Sequence, residues 1–104
     1  MEKLQTVDLQ VKRWWDKVNG NSYFSARMIL NYGMETEKTF FIPFQYGYGN
    51  FPEQKALELL KEKGYANSEH YSMWKFTESE KVIYRFTDHG FTLQKEVKHF
   101  GEEK

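Results

Sequence analysis

The sequence predicts an α+β domain in which an antiparallel sheet of four to five strands carries one main helix on one face, in the order β-β-β-α-β-β. Three observations lead there. Residues 7–32 alternate apolar and polar side chains on both sides of Asn19-Gly20, a dipeptide strongly associated with tight hairpins. Residues 50–64 carry a helix-start signal, an apolar stripe at helical spacing and a terminating glycine. Further runs with period two surround Ile42 and Tyr84.

A type I′ turn at Asn19-Gly20 places Gly20 at positive φ and pairs Val18 with Asn21. One face then matches Trp15 with Phe24, Arg13 with Ala26, Val11 with Met28, Leu9 with Leu30 and Val7 with Tyr32, which predicts that this face is buried. The other face matches Asp16 with Tyr23, Trp14 with Ser25, Lys12 with Arg27 and Gln10 with Ile29. After a polar loop, a third strand is expected over 39–46, with Phe40, Ile42, Phe44 and Tyr46 on one face. Pro43 has no backbone donor, so it marks an edge or a bulge.

Asn50 reads as an N-cap, Pro52 as a first-turn residue and Glu53 as the partner in a capping box, so a helix should run to about Lys63. Ala56, Leu57 and Leu60 form its apolar stripe with Leu59 at the margin, and Gly64 suits the C′ position. Residues 71–76 fit a strand or a short helix by periodicity; a helical turn or loop leading into a strand is preferred. Val82, Tyr84 and Phe86 then share one face of a strand over 81–87. Asp88-His89-Gly90 predicts a hairpin turn into a last strand over 91–97, followed by a polar tail at 101–104.

At 104 residues the chain fits one domain, 1–104, too short for separate cofactor and substrate domains. Fifteen basic and fifteen acidic residues give zero net charge, which removes the simplest argument for a nucleic-acid binder. Cysteine is absent, so neither disulfides nor thiolate metal sites contribute. No apolar leader core opens the chain and no run reaches the length of a membrane span; a soluble, cytoplasmic protein with no membrane partner is expected. Aromatic residues make up 18% of the chain, more than a small core needs, so some rings should be exposed for binding.

The stretch from Trp15 to Tyr23, with Asn19-Gly20-Asn21 at its centre, the Tyr46-Gly47-Tyr48-Gly49 loop and the helix bearing Leu59-Leu60 resemble small phage-encoded proteins of unknown function. Those proteins carry an aromatic-Asp-Lys/Arg-x-Asn-Gly-Asn-Thr-Tyr-His hairpin, and the likeness covers residues 13–65. This chain has Ser22 and Phe24 where the group has Thr and His, and it lacks the group's basic ending. The resemblance implies a phage or prophage origin and a counter-defence or host-takeover role, acting in the host cytoplasm.

The hairpin face opposite the predicted core gathers Lys12, Trp14, Tyr23 and Arg27, joined by Asp16 and Ser25. Two rings beside two cations suit either a protein hot spot or a stacked base with its phosphate. A second layer formed by residues 71–76 or by a second chain would explain them equally well, and homo-oligomerisation stays open. Arg13, on the inward face, needs an acceptor or must reach outward. Gly47-Tyr48-Gly49 precedes a helix but lacks the Lys-Ser/Thr of a phosphate loop, so it reads as a tight connection.

His70, His89 and His99 lie far apart without metal-ligand spacing, and no catalytic triad or carboxylate pair is evident. No catalytic residue, metal or cofactor is therefore assigned. The leading expectation is a non-catalytic binding protein that occupies a host protein or other macromolecule, or sequesters a ligand. The alternative is a nucleotide- or nucleic-acid-binding module, and a small enzyme is the least favoured reading.

Overall fold

The structure is a computed structural model that describes residues 4–102. The chain folds as β1 (Thr6–Asp16), β2 (Asn21–Leu30), β3 (Lys38–Tyr46), α1 (Phe51–Glu62), α2 (Met73–Glu80), β4 (Ile83–Phe91) and α3 (Gln94–Phe100). The α+β class agrees with the sequence reading, but the sheet is mixed. Its order is β3-β2-β1-β4, with β1 antiparallel to β2, β2 antiparallel to β3, and β4 parallel to β1. Alternation reports which face a strand buries and is silent on its direction. The excursion through α1 and α2 returns the chain to the starting end of β1, the long crossover that a parallel neighbour needs.

The first hairpin closes with a four-residue loop, Lys17 to Gly20, rather than a two-residue turn. Asp16 organises it. Its carbonyl accepts from Gly20 N at 2.8 Å, its Oδ1 accepts from Val18 N at 3.0 Å, and its Oδ2 accepts from Asn19 Nδ2 at 2.8 Å. Gly20 has φ 68 as expected. The longer loop moves the register by two, so Leu9 faces Met28, Val11 faces Ala26, Arg13 faces Phe24 and Trp15 faces Ser22. A two-residue move leaves every side chain on its predicted face, because strand side chains repeat with period two.

On one face of the sheet Val7, Leu9, Val11, Phe24, Ala26, Met28, Leu30 and Ile42 meet Ala56, Leu57 and Leu60 of α1 and Met73 and Phe76 of α2. Fully burying one such Leu or Met contributes ~1.5–3 kcal/mol, which makes this layer the main source of stability. The predicted helix is present as α1, with its stripe buried and Gly64 at φ 87 beyond its end. The expected capping box is not formed. Asn50 Oδ1 instead accepts from Gln54 Nε2 at 3.0 Å, and Glu53 accepts from the Tyr84 hydroxyl at 2.6 Å. Of the two readings for residues 71–76, the helix is found: Ser72 Oγ caps α2 by accepting from Lys75 N.

Pro43 lies on the edge strand β3 and in a bulge, since the β2 partners change register between Phe24 and Ala26. The bulge divides the residues expected on one face. Phe40 and Ile42 belong to the core side, whereas Phe44 stacks on Tyr23 on the other side of the sheet.

The C-terminal third departs most from expectation. Asp88-His89-Gly90 makes no hairpin; Gly90, at φ 77, lies inside β4 where its register against β1 shifts. The predicted strand over 91–97 is replaced by α3, whose Val97 and Phe100, three residues apart, are buried against the second face of the sheet. Ser25 Oγ donates to the Val97 carbonyl and Arg27 Nε donates to the Phe100 carbonyl at 2.9 Å. The result is three layers: α1 and α2, the sheet, and α3. The expected polar tail begins at Gly101, and residues 103–104 lie outside the described residues.

Candidate binding surface

Because α3 has seven residues, it covers only part of the second sheet face. Toward the hairpin loop the face is left to rings. Trp14 on β1 sits directly opposite Tyr23 on β2, with centroids 5.5 Å apart, and Phe44 of β3 stacks on Tyr23 at 5.2 Å. Tyr46 meets the edge of Tyr23 at 5.8 Å and Tyr48 at 6.4 Å, which carries the ring series around the end of the sheet. Trp14, Tyr23 and Phe44 are half-buried and Tyr46 is exposed.

The structure brings Lys12, Trp14, Tyr23 and Arg27 onto this one face, though not in the expected pairs. Lys12 lies opposite Ser25 and Arg27 opposite Gln10, so the like-charge pair expected from the two-residue turn does not form across the strands. Both cations turn toward α3 instead. Lys12 Nζ lies 4.9 Å and Arg27 Cζ 4.3 Å from the Phe100 ring centroid, within cation–π range. The second layer anticipated as an alternative therefore exists in part, built from the C-terminal helix rather than from residues 71–76. Lys98 of α3 stands over Phe44 at 5.4 Å and leaves a positive charge beside the rings.

A cleft opens on the core side of the same end, of about 360 Å³, lined by Trp15, Ser22, Tyr46, Tyr48 and Phe91 together with Gly20 and Asn21. Sequence reasoning buried Trp15; the structure leaves it 47% exposed. The reason is reach, since α1 begins at Phe51, whose ring packs on Phe24, and Trp15 lies farther toward the hairpin loop. Arg13 finds its acceptors here. Its Nε donates to Asp88 Oδ2 at 2.9 Å and its NH2 to the Gly49 carbonyl at 3.0 Å, tying both the β3–α1 loop and the end of β4 to the hairpin. The cleft was not found from sequence because it joins three distant segments; the aromatic excess and the Tyr-Gly-Tyr-Gly loop were its only traces.

The titrating groups that shift are structural. The Asn19 side-chain donor holds the Asp16 carboxylate below its ordinary value of 3.8, burial opposes this, and the Asn19 and Val18 backbone donors reinforce it. Burial, followed by the hydrogen bond and charge of Glu53, pushes the Tyr84 hydroxyl upward, so it stays a donor. Among the described residues no group of three or more His, Asp or Glu could hold a metal, and no helix is long and apolar enough to cross a membrane. Comparison of the chain with protein-family models, with curated proteins and with solved structures finds no match in any of the three.

Proposed function

We propose that the protein is a non-catalytic binding factor that occupies a host macromolecule through the ring-bearing end of its second sheet face, with Trp14 and Tyr23 as anchors. The observation that carries this reading is the ring series Trp14, Tyr23, Phe44 and Tyr46, which spans three strands and which α3 covers only in part, through Lys98 over Phe44. Large rings held rigidly by their neighbours lose little freedom on binding and are enriched among interface anchors. Lys12 and Arg27 flank the rings, but their contacts with Phe100 make them supports for the surface more than free phosphate ligands. That favours a protein partner over a nucleotide or nucleic acid held by phosphate contacts. The resemblance of the hairpin and the Tyr-Gly-Tyr-Gly loop to small phage proteins supplies the setting, counter-defence or host takeover.

Affinity capture from bacterial extract with the wild-type chain and Trp14→Ala side by side, over a range of salt concentrations, tests the reading. A protein retained by the wild type at high salt and lost by the variant is the expected result. Capture that collapses steeply with salt would instead indicate phosphate-dominated binding.

A further inference from the structure

The geometry points to a second, small-ligand site in the cleft between the hairpin loop, the β3–α1 loop and the end of β4, built for an uncharged planar heteroaromatic ring of the nucleobase class. Two independent observations meet there. Trp15, Tyr46, Tyr48 and Phe91 wall the cleft while remaining 47%, 53%, 68% and 63% exposed, an arrangement that leaves much apolar surface in water unless something enters. Ser22, which also lines the cleft, is only 6% exposed, and its hydroxyl has no hydrogen-bond partner; among the described residues it is the one buried side-chain polar atom in that position. Leaving a buried hydroxyl unpaired costs roughly 1–3 kcal/mol; with less than 1 Å² of its surface accessible, Ser22 Oγ meets a ligand in the cleft by rotating about χ1, and the bond then formed to a donor or acceptor removes that cost.

The lining chooses among ligands. Among the described residues no charged side chain lines the cleft, so these residues offer nothing to a phosphate or carboxylate. A quaternary ammonium would satisfy the ring faces but has neither donor nor acceptor for Ser22. A nucleobase offers a π-face to the rings and a polar edge to the hydroxyl. The volume, about 360 Å³, is at the lower end of small-molecule sites, where pockets typically span ~300–1,000 Å³. The walls are also held in place before binding. Arg13 bonds both Gly49 and Asp88, Gly47 N donates to the Ser22 carbonyl at 3.0 Å, and a Cβ on Gly47 would fall 2.8 Å from the Phe24 ring, so the loop bearing Tyr46 and Tyr48 lies tight against the sheet. This site shares Tyr46 and Tyr48 with the end of the outer ring series and not Trp14, Tyr23 or Phe44, and it stands or falls separately from that surface.

Titration calorimetry of the full chain with adenosine, guanosine, cytidine and uridine, with the corresponding 5′-monophosphates and with tetramethylammonium, tests the assignment. At least one nucleoside should bind saturably, and its monophosphate with similar affinity because no cation lines the cleft. Ser22→Ala should weaken binding by about tenfold without lowering the melting temperature, since it removes an unpaired buried hydroxyl. Tyr48→Ala, at an exposed loop position, should weaken it by ~10-fold or more. Trp74→Ala, which removes an exposed ring of α2 outside both surfaces, should leave nucleoside affinity unchanged. Failure of all four nucleosides to bind, binding of tetramethylammonium alone, or nucleoside binding indifferent to both Ser22→Ala and Tyr48→Ala would overturn the assignment.

Discussion

Gly20 and Asp16 show how single residues set the hairpin that positions both ring groups. Gly20 adopts φ 68 with open space around its Cα, so a substitution there meets backbone strain and no steric obstacle. Gly20→Val should destabilise the fold by ~1–3 kcal/mol, read as a lower denaturation midpoint at unchanged slope. Asp16 adds a pH dependence. Its pKa is lower in the folded chain than the ordinary 3.8, so its contribution is fully present above that value and is lost as pH falls through the lower folded value. The stability gap between the wild type and Asp16→Asn should therefore narrow on acidification below 3.8, in paired denaturation curves. Asn19-Gly20 made the hairpin legible in the sequence. Loop length was not, because it depends on the Asp16 carboxylate capturing Val18 and Asn19, an interaction that a dipeptide signal does not encode.

Among the elements, α1 and α3 contrast in how much of themselves the sequence reveals. Twelve residues of α1 carry a stripe, a first-turn proline and a glycine after the end, signals that agree with one another. Leu60, fully buried beneath it, should cost ~2–5 kcal/mol when changed to Ala, measurable by chemical denaturation. The seven residues of α3 supply too little length for a periodic signal, and Gly90 at positive φ suits a strand bulge as well as the hairpin turn expected there. Packing decides the matter, since Val97 and Phe100 find the sheet. The approach is close at its end: a Cβ on Gly101 would lie 2.6 Å from Ser25 Cβ and 2.7 Å from the Ile42 carbonyl oxygen. Gly101→Ala should push α3 off the sheet at a cost of ~1–3 kcal/mol and speed amide exchange at Val97 and Phe100, whereas exchange in α1 should be unaffected.

At the scale of the whole molecule, the outer layers cover the hairpin end of the sheet only in part, and its rings are left half-buried or exposed. Face assignment from alternation was enough to gather Lys12, Trp14, Tyr23 and Arg27, because a register error of two preserves sidedness. Alternation could not reveal that β4 runs parallel to β1, nor that Phe91 and Tyr48 would join Trp15 around Ser22, since those neighbours are set by the crossover and by the two bonds of Arg13. The central claim is that the ring-bearing end of the second face binds a partner while the core on the first face maintains the fold. It is tested most directly by the affinity of Trp14→Ala for the captured partner, measured on protein whose cooperative melting has been verified. The account predicts a variant that stays folded and binds more weakly by ~2 kcal/mol or more, as loss of an interface anchor requires. Undiminished affinity in the folded variant would contradict it.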